Sequence, residues 1–487
     1  MPYDFSAGVQ EAPRNHRDSV PDDGAQRASQ GFLEFLPSAF EEVNVRGRFA
    51  LRWAVQAAAL ADVASSLLSS SSKGGVSDEQ QRGRPEDSVN GASPSESELG
   101  RRALKYYGQA LTALSESLGT DGKSPDDHDL MTVVILDFFE TLFLPDNVSR
   151  GCHAQGMSQI LRHRGKEQLY DARGWSLFRL AHHRVQKQAL AFRLPPPFPA
   201  ATATATTPDA TSEFLDDLND QLSFVKLEKD AHRISHLCAR ARALRSEVTS
   251  SAQAQRQRRD HPSSAGVDPC QATLAAGTAA ELIQIVRQLQ KLDGEALAWR
   301  QGPEWSYATR HRAQLAGNDG VLATFPETVH IHPDIWTAYE WNYHHCARII
   351  MHKQILACLH RAATLSVCEG GQTAMDYAAS NDVASLLTPL EVESITIIRG
   401  LTAKILATVP QMLGDIDHAG CVRSADAPPP RCRAIGAYFL MWPVKILKSD
   451  LSKEVIAEEQ IEAAKEVFER IREYTGMRNL LGDHSII

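Results

Sequence analysis

No two of the eight cysteines (Cys152, Cys238, Cys270, Cys346, Cys358, Cys368, Cys421 and Cys432) stand in a C-x-x-C spacing. A structural zinc module needs closely spaced thiolates, because four ligands must reach one ion at little cost in chain closure. The thiols therefore read as reduced, mostly packed side chains of an intracellular protein. No run of about 18 apolar residues occurs, the length a bilayer crossing needs. The stretch Met1 to Asn15 is polar and lacks the apolar segment of a secretory signal. Strand-like alternation is missing too. Ala201 to Thr206 alternates, but Ala and Thr between prolines make a linker. There is no G-x-S-x-G elbow, no Gly-rich phosphate loop and no C-G-x-C-W signature, so no catalytic nucleophile is expected. The chain also lacks a basic excess. With 51 Lys+Arg against 60 Asp+Glu, the net charge of −9 argues against a whole-chain nucleic-acid binder.

What is present is the composition of a folded chain, 43% hydrophobic and 23% charged over 487 residues. Length alone allows roughly three domains. Residues 1–31 are polar and read as a disordered N-terminus. Linkers are expected at 69–97, which is Ser-rich with little apolar surface, at 195–212 (PPPFPAATATATTPDATS) and at 248–270, rich in Ser, Gln and Arg. Between them the periodicity is helical. Leu282, Ile285, Leu289, Leu292, Ala296 and Trp299 form one face, as do Leu99, Ala103, Tyr106, Ala110 and Leu114, and Ala457, Ile461, Ala464, Phe468 and Ile471 before Gly476. Phe49, Trp53, Leu60, Val63 and Leu67 mark an early helix with Asn44 as N-cap. Leu130 to Leu144 is apolar nearly all round, a central buried helix with Asp126, Asp127 and Asp129 at its positive end. Further helices are expected over 333–363 and over 391–413, the latter closing at Pro410. Pro443 predicts a kink or break in the apolar run from Tyr438 to Leu447. The fold class is all-α, a multi-helix bundle or solenoid-like body over 32–482.

Three constellations bear on chemistry. Asp216, Asp217 and Asp220 (DDLND) are spaced on a helix to aim carboxylates at shared magnesium ions. With Asn381, Asp382 and Ser385 they are similar to the metal motifs of class I terpene cyclases, a magnesium-dependent enzyme being one alternative reading and a non-nuclear helical scaffold the other. That pattern fails at Pro389, which stands where a glutamate ligand is needed. The aspartates otherwise form the solvated first turn of a helix. The segment WNYHHCARIIMHK holds His344, His345, Cys346 and His352, with His330, His332 and His360 nearby. His345 and His352 share a helix face, but seven residues span about 10 Å along the axis, too far for one zinc ion. Packing is the expected role, with no metal, no cofactor and no catalytic residue. Finally, Arg240, Arg242, Arg245, Arg256, Arg258 and Arg259 form a basic run ending in QRQRRDH. Such a run either is a solvated linker or is read by nuclear import machinery.

Several segments, taken in order, resemble the regulatory region of fungal zinc-cluster transcription factors. Leu36 to Ala64 resembles the opening helix, followed by Leu104 to Leu118 and Asp126 to Leu142. His153, Gly156, Leu161, Arg164 and Gly165 fit H-x-x-G-x-x-x-x-L-x-x-R-G, and Gly174 to Pro197 continues it. Trp336 to Leu356, Ala403 to Gly414, YFLMWPVKILKSD and the 457–481 helix ending TGMRNLL complete the order. The resemblance implies an all-α regulatory domain in the nucleus without enzymatic activity. It implies, as partners, the transcription machinery or a second transcription factor, together with a small-molecule effector. Trp305, Tyr339, Trp341, Tyr343 and Trp442 are candidate groove aromatics. The family's N-terminal C-x-x-C-x6-C cluster has no counterpart here, since no cysteine precedes Cys152, and no DNA contact is carried over. Either the cluster is encoded upstream or the protein acts through partners. Mapping the 5′ end of the transcript decides this. An in-frame upstream C-x-x-C-x6-C makes the protein a DNA reader, and a start at Met1 makes it one that depends on partners.

Overall fold

The computed structural model describes residues 35–46, 48–73, 94–119, 124–144, 152–191, 223–259, 269–300, 302–315, 324–368, 374–423, 433–449 and 454–475. Among them are twelve α-helices and one two-stranded sheet, so the protein is all-α. The helices are α1 (Leu36–Arg46), α2 (Phe49–Lys73), α3 (Pro94–Leu118), α4 (Asp127–Phe143), α5 (Cys152–Arg164) and α6 (Ala172–Ala191). They continue as α7 (Ser223–Arg259), α8 (Pro269–Trp299), α9 (Ile335–Cys368), α10 (Ala374–Met412), α11 (Arg433–Lys448) and α12 (Glu458–Thr475). No helix is long and apolar enough to cross a membrane among the described residues.

Two helices organise the packing. α4 is apolar on nearly every side, and its residues from Leu130 to Phe139 are almost all buried between α2, α3, α5 and α6. Its start is set by sequence. Asp126 accepts the N–H groups of His128 and Asp129 at 2.9 and 3.2 Å, and Asp129 reaches back to the Asp126 N–H at 3.1 Å. That is a capping box, with acids at the positive end of the helix dipole. α9 is the second organiser. It packs on α6, α7, α8, α10 and α11, so every residue from Ala338 to Leu356 is buried. A helix enclosed on all sides cannot keep its polar residues in water, and each must find a protein partner. Asn342 donates to Thr408 Oγ1 at 2.8 Å. Arg348 grips Asp293 of α8 with two bonds of 2.5 and 2.8 Å, and His352 lies 3.3 Å from the same carboxylate.

Several local expectations are corrected. Asn44 does not precede α2 as its N-cap but lies in the last turn of a separate helix, α1. The helix expected from 391 begins at Ala374 and runs through Pro389 and Pro410 to Met412. Pro389 is exposed, and water can serve the carbonyl that a missing proline N–H leaves open. Pro443 lies inside α11 without breaking it. The linkers are shorter than expected, because α2 reaches Lys73, α3 starts at Pro94, and α7 extends through 248–259. The residues Val248 to Arg259 contain neither Gly nor Pro, and Ala, Gln and Arg favour helix. The 195–212 linker and the 1–31 stretch lie outside the described residues.

A β-hairpin was not foreseen. β1 (Ala308–His311) pairs antiparallel with β2 (Thr328–Ile331), Ala308 opposite Ile331. Four-residue strands carry too few residues for alternation to register. Tertiary bonds hold the hairpin in place. The Gln411 side chain accepts the His332 N–H at 2.8 Å and donates to the His332 carbonyl at 2.7 Å.

Glycine is required where elements approach most closely. A Cβ at Gly436 of α11 would overlap the Met412 carbonyl at the end of α10. Two predictions follow from this packing. Gly436→Ala should destabilise the fold by about 1–3 kcal/mol through overpacking. Asp293→Ala strands a buried guanidinium and should cost about 3–5 kcal/mol in urea unfolding, with Arg348→Met recovering part of the loss in the double variant. Additive effects of the two changes would contradict a coupled pair.

Candidate effector groove and the buried polar core

A groove of about 660 Å³ opens between α2, α3 and α4. Its α2 wall carries Phe49 and Trp53, four residues apart on one helix face and stacked at 5.7 Å. Phe49 is 48% exposed, which is unusual for so large an apolar side chain beside an open groove. The α3 wall is polar at its rim (Lys105, Gln109, Glu116) and open at Gly108, where an added Cβ would meet nothing within 4 Å. The floor is the first turns of α4, with His128, Asp129 and Thr132.

One end of the groove is charged. Arg48 pairs with Asp126 and lies 3.0 Å from His128 Nδ1, while His128 Nε2 lies 3.3 Å from Glu42. Burial, reinforced by the Arg48 charge, lowers the His128 pKa, so the ring is neutral near pH 7. The network continues outward. Arg173 bonds Glu42 at 2.8 Å and Asp127 at 3.0 Å, and Arg164 reaches Asp127 at 2.6 Å. Five helices thus meet at the α4 N-terminus. The groove pairs an aromatic ledge with a hydrogen-bonding end, in the size range of small-ligand sites.

The second feature is enclosed. Glu228 of α7 is fully buried between His182 and His183 of α6, with His182 Nδ1 at 2.5 Å. Burial alone would raise its carboxyl; the facing His183 and His182 hold it well below the ordinary range instead. Arg179 bridges to Glu340 of α9 and sits 5.5 Å from the Trp336 ring centre. Lys187 is boxed by Tyr339 at 4.4 Å and Trp442 at 5.4 Å. These groups act as interior fasteners.

The residues singled out in the sequence are scattered by the fold. Asp216, Asp217 and Asp220 lie outside the described residues, and Asn381, Asp382 and Ser385 lie on α10 at positions whose side chains are not described. His345 packs on Trp341, whereas His352 turns to Asp293 and Ser394. The two do not converge. Cys346 is buried and its thiol is pushed up by desolvation. Of the candidate groove aromatics, Trp305, Tyr339, Trp341 and Tyr343 are core, and Trp442 is half-buried. The groove is instead lined by Phe49 and Trp53, which the sequence marks only as members of an apolar stripe. In the basic run, Arg240 pairs with Glu281 at 2.5 Å, Arg242 reaches the Leu190 carbonyl and Arg245 bonds Gln354 at 2.5 Å. Half of that run therefore fastens α7 to its neighbours. No protein-family model, curated protein or solved structure matches the chain.

Buried neutral histidines give the protein an acid limit. Burial, with neighbouring positive charge, holds His232 and His332 down to about 3 and His330 to about 4. In the unfolded chain they protonate near 6.5. Between about pH 6.5 and 4 the unfolded state binds more protons, so stability must fall as pH falls. Glu228 and Asp293, both held below their ordinary values, add a loss of the same sign at still lower pH. Thermal melts should show Tm declining steadily from pH 7 to pH 4. A flat Tm over that range would contradict neutral burial of these rings.

Proposed function

We propose that this chain is a transcriptional regulator of the fungal zinc-cluster type. It acts in the nucleus through the transcription machinery or a partner transcription factor, and a small effector in the α2–α3–α4 groove controls it. The observation that carries the proposal is how the H-x-x-G-x-x-x-x-L-x-x-R-G pattern is used. His153 is buried against Glu140 of α4, Leu161 enters the core, Arg164 pairs with Asp127, and Gly165 ends the helix at a φ of 68°. Four of the five pattern residues thus have a structural reason to be what they are. Gly156 has open space around it and no such reason. The order of the remaining segments supports the same proposal, since their described residues are almost all helical. The effector class follows from the groove: a flat apolar or aromatic body against Phe49 and Trp53, with a polar group toward Arg48 and His128.

A reporter assay tests this. The full chain, fused to a heterologous DNA-binding module, should raise or repress a reporter several-fold, and a tagged chain should enter nuclei. Gly108→Leu fills the groove from a helical position and should favour the helix by about 0.8–1 kcal/mol. It should therefore hold or raise Tm while abolishing any effector response. An inert fusion excluded from nuclei would overturn the proposal.

A further inference from the structure

Away from the groove, the C-terminal half of α4 and the first turn of α5 bring together three side chains of metal-binding type. Glu140, Cys152 and His153 offer a carboxylate oxygen, a thiol sulfur and an imidazole nitrogen, all within 4.8 Å of one another. Among the described residues no other group of three His, Cys, Asp or Glu meets that condition. We propose that these three residues form a binding site for Zn²⁺ or a similar borderline-soft divalent ion.

The ligand set selects the ion. A thiolate and an imidazole suit zinc and disfavour magnesium and calcium, which prefer all-oxygen shells. The geometry needs only a small adjustment. Zinc bonds of about 2.0–2.3 Å place tetrahedral ligands roughly 3.5 Å apart. The exposed Cys152 can swing inward to meet that spacing, and Glu140 and His153 separate slightly to admit the ion. His153 and Glu140 are already held together, since the His153 side chain is nine-tenths buried and its Nε2 lies 2.8 Å from Glu140 Oε1. An imidazole and a carboxylate fixed side by side away from water are two ready ligands for one ion. Tyr107 of α3 donates to Glu140 from the other side, fixing the carboxylate as an outer partner of a ligand does. Access is open on the Cys152 side.

Binding would displace the Cys152 proton to solvent and join α4 to α5 through the ion. The site is unlike a closed structural zinc module, because its ligands come from two helices rather than one cysteine-rich loop. It is also distinct from the effector groove, to which it contributes no residue.

Cobalt and zinc titration of the full-length protein, stripped with a chelator, tests the site. One equivalent of Co²⁺ should bind and give a thiolate-to-cobalt charge-transfer band in the near ultraviolet. Cys152→Ser, at an exposed position, should keep the fold and lose that band. It should weaken Zn²⁺ binding, measured against a chromophoric chelator, by more than the roughly 10–100-fold typical of losing an outer partner. Glu140→Gln should weaken binding while retaining the band. Cys421→Ser, a change at the other described exposed thiol, should alter neither. Absence of the band in the parent chain, its persistence in Cys152→Ser, or its loss in Cys421→Ser would each overturn the proposal.

Discussion

Enclosure of α9 is the constraint on which the rest of the structure depends. Its polar and charged side chains, Glu340, Asn342, His344, His345, Arg348, His352, Lys353 and Gln354, are all buried. Their desolvation is acceptable only because the surrounding helices present matching groups at the right depth: Asp293 from α8, Thr408 and Ser394 from α10, and Arg179 from α6. The helices that supply these groups, α6, α8 and α10, therefore cannot slide or rotate against α9 without leaving a buried polar or charged group unmatched. This is a stricter requirement than apolar packing, which tolerates repacking when volume is conserved.

α4 plays the complementary part. Its middle is mostly apolar core, interrupted by Asp137, which pairs with Arg184 of α6, and two polar clusters sit at its ends. At the N-terminus a capping box and an ion network join five helices and form the charged end of the groove. At the other end Glu140 meets Tyr107, Cys152 and His153. An apolar rod with polar ends holds two distant polar clusters at a set separation.

The functional reading rests on motif order, and the structure gives that order physical content. The residues of the α5 pattern that resemble the fungal regulators either contact α4 or terminate a helix. Such a pattern is a packing signature, so it speaks for the architecture of the body first. The proposed regulatory role follows from that pattern, and the groove beside it, where an exposed aromatic pair borders a hydrogen-bonding end, bears on the proposed effector alone.

Much of the helical framework was legible in the chain. The 3,4 stripes of α3, α8 and α12, the all-apolar run of α4 and its acidic cap are local patterns, and helix formation along one segment needs only that segment's residues. What local patterns cannot carry is which chain segments meet. Phe49 and Trp53, members of an apolar stripe, became the ledge of a groove, whereas Trp341 and Tyr343, which could serve either core or groove, are core. Glu140, Cys152 and His153 converge because α5 folds back on α4, across a separation that no spacing rule covers. The hairpin, the partner shared by Arg348 and His352, and the inward turn of Arg240, Arg242 and Arg245 are likewise products of docking. By itself the sequence determined the helical class and most helix positions, since periodicity and capping act over a few residues. Tertiary structure alone decided which faces are buried and which side chains share a site, because burial and pairing energies exist only between segments brought together in space.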